Sequence, residues 1–256
     1  MIIQYASDLH LENPDNREYI RKKPLLPKGE VLILAGDIIR LSEIDSYKDF
    51  FNYCSYHFAA TYWIPGNHEH YGSDISKREG MLQENIRSNV WLVNNVAVEY
   101  KDLRIICSTM WSEIDKQQEK IAQRLSDFKF IKYGNTTLNV SQYNWMHANS
   151  LKFIKDTLAM PYNGKNIVVS HHVPTYKNYP EKLLKAGLDE AFAVELQEYI
   201  EGLSTQNIIC PYWIYGHHHR NVSAFEVGNT SLVTNQLGYV KKKGHLSFNS
   251  EAIMLM

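Results

Sequence analysis

Five short apolar runs in this chain end in the same way. Ile2–Ala6 ends at Ser7-Asp8-Leu9-His10, and Val31–Leu34 ends at Ala35-Gly36-Asp37. Tyr62–Ile64 ends at Pro65-Gly66-Asn67-His68-Glu69, Ile167–Val169 at Ser170-His171-His172, and Trp213–Tyr215 at Gly216-His217-His218-His219. Runs this short and this continuously apolar read as strands buried on both faces. Each delivers carboxylates, imidazoles or an amide at its carboxyl end. In open α/β sheets that edge is where ligands bind, because the crossover helices leave it uncovered.

The segments between the strands fill in an α/β pattern. Ile44, Tyr47, Phe51, Cys54 and Phe58 fall on one helical face, starting near Ser42. Ser76–Arg87 reads as a helix, followed by strands at Val90–Val93, Val96–Tyr100 and Leu103–Cys107. Asn94-Asn95 and Lys101-Asp102 read as the turns of hairpins between them. Trp111–Tyr133 reads as helix and loop laid over the strand ends, and Ser141–Leu158 as a helix with Tyr143, His147, Leu151, Ile154 and Leu158 on one stripe. Leu188, Phe192, Leu196, Tyr199 and Leu203 mark a further helical face, and Ser231–Thr234 and Ala252–Leu255 read as closing strands. No repeat, low-complexity tract or linker interrupts the pattern. We therefore expect one domain over residues 1–256, with a helical and loop insertion near 111–150.

Composition narrows the function. A chain of 256 residues, 44% hydrophobic, can bury one large core. Its 27 basic and 28 acidic residues give a net charge of -1, which argues against a nucleic-acid partner. Lys241-Lys242-Lys243 reads as a solvated turn. Three cysteines, an odd number, each lie in an apolar run, as reduced buried thiols do. No charged leader precedes the first strand, and no apolar run approaches the roughly 20 residues of a membrane span. The expectation is a soluble cytoplasmic protein with no membrane partner.

The chemistry lies in the strand ends together. Asp8, His10, Asp37, Asn67, His68, His171 or His172, His217 and His219 are hard and borderline ligands, suited to Zn, Mn or Fe. No thiolate is among them, which argues against a structural zinc. There are more ligands than one ion uses, so the set points to two ions sharing a carboxylate. In Asp8-x-His10 and His217-x-His219, side chains two apart converge on one side. His218 then points away and reads as structural, and His147 reads as a hydrogen-bonded core histidine.

Taken in order, Asp8-Leu9-His10, Gly36-Asp37, Gly66-Asn67-His68-Glu69, His171-His172 and Gly216-His217-His218-His219 resemble the motifs of the calcineurin-like metallophosphoesterase superfamily. The resemblance implies a four-layer α/β/β/α sandwich of two mixed sheets with the metal site at the strand carboxyl ends. It implies two divalent or trivalent ions (Mn, Fe or Zn). One would be held by Asp8, His10 and His219 and the other by Asn67, His171 and His217, with Asp37 bridging them. The activity implied is hydrolysis of a small-molecule phosphomonoester or phosphodiester by water activated between the ions, with His68 protonating the leaving oxygen. The chain departs from the phosphoprotein phosphatase branch, because Arg40 stands where that branch has an aspartate that orients the catalytic histidine. Glu69 is the expected replacement. Two alternatives accompany this reading: a nuclease acting on DNA ends, disfavoured by the charge, and a catalytically silent scaffold, disfavoured by the retained His68.

Overall fold

The computed structural model describes all 256 residues. The apolar runs become interior strands because both of their faces are covered. β1 (Ile2–Ala6), β2 (Val31–Ala35) and β3 (Ala60–Ile64) run parallel, and every residue of β2 and β3 is buried. β4 (Leu82–Arg87) and β5 (Val90–Asn94) extend this sheet on one side. The second sheet contains β6 (Val96–Tyr100) and β7 (Leu103–Cys107). Between the main strands, β8 (Lys132–Tyr133) and β9 (Thr136–Thr137) form a small separate ladder. β10 (Lys165–Val169), β11 (Tyr212–Tyr215), β12 (Phe225–Val227) and β13 (Thr230–Thr234) complete the second sheet. β14 (Ile253–Leu255) returns to pair antiparallel with β1. The result is two six-stranded mixed sheets, ordered β14-β1-β2-β3-β5-β4 and β12-β13-β11-β10-β7-β6.

The helices close the outer faces. α1 (Pro14–Lys22) and α2 (Lys48–His57) cover the first sheet through a cluster that includes Ile20, Phe51, Cys54 and Trp63. A cluster of Ile3, Ile33, Ile64, Ile105, Val169 and Ile214 fills the space between the sheets. Beyond β7 the chain forms α3 (Gln118–Arg124) and α4 (Asp127–Phe130), then the long α5 (Val140–Ala159). α6 (Glu181–Leu184) is a single short helix, and α7 (Gln197–Thr205) packs with α5 on the second sheet through Ile154, Leu158, Ile200 and Leu203. This is the α/β/β/α sandwich expected. α5 starts at a capping box, with Asn139 and Gln142 each bonding the other's backbone N–H. No helix is long and apolar enough to cross a membrane.

Three expectations need correction. Ser76–Arg87 is not a helix but a 3₁₀ turn at Ile75–Lys77 followed by β4. Asn94-Asn95 does not turn a hairpin; it carries the chain from β5 in one sheet to β6 in the other. The Leu188–Leu203 stripe is not one helix: a 3₁₀ turn at Asp189–Ala191 gives way to an extended stretch, where Val194 N–H bonds the Val173 carbonyl, and α7 starts only at Gln197. Lys101-Asp102 does turn the β6–β7 hairpin.

Candidate active site

All five strand ends reach one place, at the seam where the two sheets meet. The backbone there is unusual. Asp8 (φ 54°), His10 (φ 45°), Asp37 (φ 56°), His217 (φ 80°) and His219 (φ 54°) all lie in the left-handed region. Each such non-glycine residue costs about 1–2 kcal/mol, so surrounding bonds must hold it. They do: Asp8 N–H donates to Gly36 O (2.9 Å) and His10 N–H to Asp37 O (2.9 Å). His219 N–H donates to Gln236 Oε1 (2.6 Å). The glycines of these motifs do not all serve the same end. Only Gly36 has a positive φ, 88°. A Cβ on Gly66 would stand 2.7 Å from His171 Nε2, and one on Gly216 2.6 Å from Asp8 Oδ2, so both permit close approach.

The side chains form two clusters. Asp8, His10, Asp37 and His219 present ligand atoms within 4.8 Å of one another, as do Asp37, His171 and His217. In the first, His10 Nε2 and His219 Nε2 face each other at 2.9 Å, and His219 Nε2 is 3.2 Å from Asp8 Oδ1. In the second, His171 Nε2 lies 3.4 Å from Asp37 Oδ1 and 3.3 Å from Asn67 Oδ1. Asp37 belongs to both, with Oδ2 3.6 Å from His10 Nε2. His171 donates from Nδ1 to Ala35 O (2.9 Å), and His217 donates from Nε2 to Ala191 O (3.2 Å). This directs the lone pairs of His171 Nε2 and His217 Nδ1 inward.

These donors fit metal cations. His217 Nδ1 and Asp37 Oδ2 are buried with no hydrogen-bond partner, an expensive state that bound cations would relieve. Asp8 and Asp37 are fully buried and held below the usual carboxylate range: burial raises both, and the neighbouring imidazoles outweigh it. Burial first, and then the neighbouring imidazoles, drive His10 and His217 down, which keeps their rings neutral, the form that ligates.

A model of the calcineurin-like phosphoesterase family matches residues 3–221 of the sequence. The chain belongs to that family. This phosphoesterase is also 29% identical to an uncharacterised protein of Acanthamoeba polyphaga mimivirus, over 96% of this chain and 94% of that one. Its fold is similar to that of phosphopantetheinyl hydrolase from Mycobacterium tuberculosis, with a TM-score of 0.62, 14% identity, and coverage of 94% and 90% of the two chains. It is an enzyme of metal-dependent phosphoester hydrolysis, and the His/Asp cluster is its metal-binding group.

Around the phosphoesterase's centre, the remaining expected residues separate. His68 stands at the rim, its ring 4.5 Å from that of His10 and its backbone N–H donating to Asp37 Oδ1 (2.9 Å). Glu69 does not touch it. The Glu69 carboxylate is fully buried and accepts from Gly66 N–H (2.7 Å), Asp37 N–H (2.9 Å), Ile38 N–H (2.7 Å) and Trp63 Nε1–H (3.0 Å). It ties the Gly-Asp and Gly-Asn-His-Glu loops together instead of orienting His68. The carboxylate beside His68 is Glu12, unanticipated from the sequence. Glu12 Oε1 is 3.2 Å from His10 Nδ1 and 3.4 Å from His68 Nδ1, the latter a charge contact and not an aligned hydrogen bond. Burial raises the Glu12 pKa, but the two imidazoles outweigh it and hold it at about 2. Burial lowers His68, and the charges of Asp37 and Glu12 lift it to about 9.

Of the adjacent histidine pair, His171 enters the cluster and His172 turns to the Tyr143 hydroxyl (3.1 Å). His218 points away from the centre, with Nδ1 accepting from Arg220 N–H (3.2 Å) and Gln236 Nε2–H (3.0 Å). His147 bonds the Trp111 carbonyl in the core. Arg40 pairs with Glu43 at 3.3 Å on the half-exposed surface, and does not replace the missing aspartate.

Proposed function

We propose that this chain hydrolyses small-molecule phosphoesters, monoesters or diesters, with two transition-metal cations. The observation that carries the proposal is the pair of buried clusters meeting at Asp37. Asp8, His10 and His219 would hold one cation, Asn67, His171 and His217 the other, and Asp37 both. Nitrogen and oxygen donors of this kind suit Mn, Fe or Zn. When bound, such a pair lowers the pKa of a coordinated water toward neutrality and offsets charge on the phosphoryl oxygens.

The chain's own residues supply the rest. His68 donates a proton to the leaving oxygen. Asp37 Oδ1, by accepting the His68 backbone N–H, fixes the backbone that carries that ring against the centre, and Glu12 faces its Nδ1 side. The His68 and His219 side chains are 17% and 22% exposed while Asp8, His10 and His171 are sealed at 0%, which supports substrate entry over those two rings. The three free, buried cysteines support a reducing cytoplasm.

The test is turnover of para-nitrophenyl phosphate and bis-para-nitrophenyl phosphate by metal-stripped protein refilled with Mn, Fe or Zn in turn. Metal-dependent turnover of the diester assigns a phosphodiesterase, and turnover of the monoester alone a phosphatase. Two ions bound with no turnover of either sinks the proposal. His68→Ala is expected to keep both ions and to lose at least ~10-fold in kcat on an alkyl phosphate, since positioned acids are worth ~10²–10⁴-fold. On nitrophenyl esters, whose leaving group needs little protonation, the loss should shrink.

A further inference from the structure

Asn67 would ligate through its side-chain oxygen, yet an amide can present either end. Nitrogen and oxygen are nearly the same size, so only hydrogen bonding decides which one faces the centre. The decision here is made 60 positions away, by Asp127 at the start of α4. Asn67 Nδ2–H donates to Asp127 Oδ1 (2.8 Å) and, at longer range, to the Tyr71 hydroxyl (3.3 Å), and this leaves Asn67 Oδ1 beside His171 Nε2 (3.3 Å). The Tyr71 hydroxyl donates to the same Asp127 oxygen (2.7 Å), and the Tyr71 ring stacks on His68 with centroids 4.2 Å apart and planes 27° apart. Asp127 is fully buried. Its neighbour Phe128 is anchored in the cluster of Trp111, Ile121, Ile131 and Tyr143. Nothing about Asp127 touches the reacting atoms.

We infer that Asp127 is a positioning residue: it locks the Asn67 amide with its oxygen toward the second cation site, and holds Tyr71 against His68 through the same atom. The inference rests on the dinuclear reading above. It gives the segment between β7 and α5 a definite task, since α4 supplies the shorter of the two acceptors of the Asn67 amide and itself holds the other, the Tyr71 hydroxyl. A group that orients a ligand in this way typically changes metal affinity 10–100-fold when removed.

The experiment is Mn titration of stripped protein by calorimetry, with bound metal counted after gel filtration and folding followed by thermal melt. Wild type is expected to bind two ions. Asp127→Leu should keep the first within a few-fold and weaken the second ~10–100-fold. Asp127→Asn retains an oxygen acceptor and should restore the second ion to within a few-fold of wild type. Should Asp127→Leu fail to fold, Asp127→Leu with Tyr71→Phe is read in its place. That pair removes the stranded hydroxyl and with it the second acceptor of the Asn67 amide, which is then left with neither. Two ions bound with wild-type affinities in the leucine variants overturn the inference and leave the dinuclear reading intact, as does equal weakening of both ions. A wild-type chain that binds only one ion overturns both.

Discussion

Glu12 lies two residues beyond His10 in a polar loop, and nothing in its neighbours distinguishes it from solvated acids such as Asp15. Its place became visible only when β1 and the Gly-Asn-His-Glu loop came together. The metal-ligand types at the strand ends could be read because the chemistry dictates them; an acid that merely contacts two rings follows no spacing rule. Glu12→Gln should lower turnover on alkyl phosphates ~10–100-fold, measured as kcat. Its folded pKa of about 2, against an ordinary 4.5, also has a stability consequence. A depressed carboxyl contributes stability above its unfolded pKa and loses it as pH falls through the folded one. Metal-free wild type should therefore weaken between about pH 4.5 and 2, and Glu12→Gln should flatten that limb in acid unfolding monitored by circular dichroism. Glu69 was legible as a member of the motif but not in its role. With four close N–H donors on its carboxylate, it works as a buried brace. Glu69→Leu should destabilise the metal-free protein by about 3 kcal/mol or more in urea unfolding, because buried donors left unpaired cost about 1–3 kcal/mol each.

At the scale of elements, the interior strands were legible because burial on both faces leaves an unbroken apolar run. β4 was not. It is an edge strand whose exposure alternates from Leu82 to Asn85, but its only apolar residues, Leu82 and Ile86, stand four apart in a polar run, a spacing that reads as helix. Pairing with β5 overrides that local preference. The Asn94-Asn95 turn misled for a related reason: turn residues report a change of direction, not which sheet receives the chain. Side chains make the crossing instead. Asn94 Oδ1 accepts Thr109 N–H (2.8 Å), and Asn94 Nδ2–H donates to Gly80 O (2.9 Å). Asn94→Ala should cost about 1–3 kcal/mol, read from the urea midpoint, because a buried bond from Thr109 and a half-buried one to Gly80 are lost.

For the whole molecule, the site is a property of the interface between the sheets. Asp8, Asp37 and Asn67 follow strands of one sheet, and His171, His217 and His219 strands of the other. Chelation should accordingly lower the melting temperature of the entire protein. Refilling at a free-metal concentration 100 times Kd should restore about 2.7 kcal/mol per site, measured by calorimetry at fixed pH. The same architecture sets an order in time. His10 and His219, whose Nε2 atoms meet at 2.9 Å, are 209 positions apart, and β1 waits for β14 to supply its outer partner. A ribosome has made most of the chain before the last ligand exists. A cation that needs donors from both sheets would therefore bind only once the sheets have come together, and the metal available at that point would decide which ion is kept.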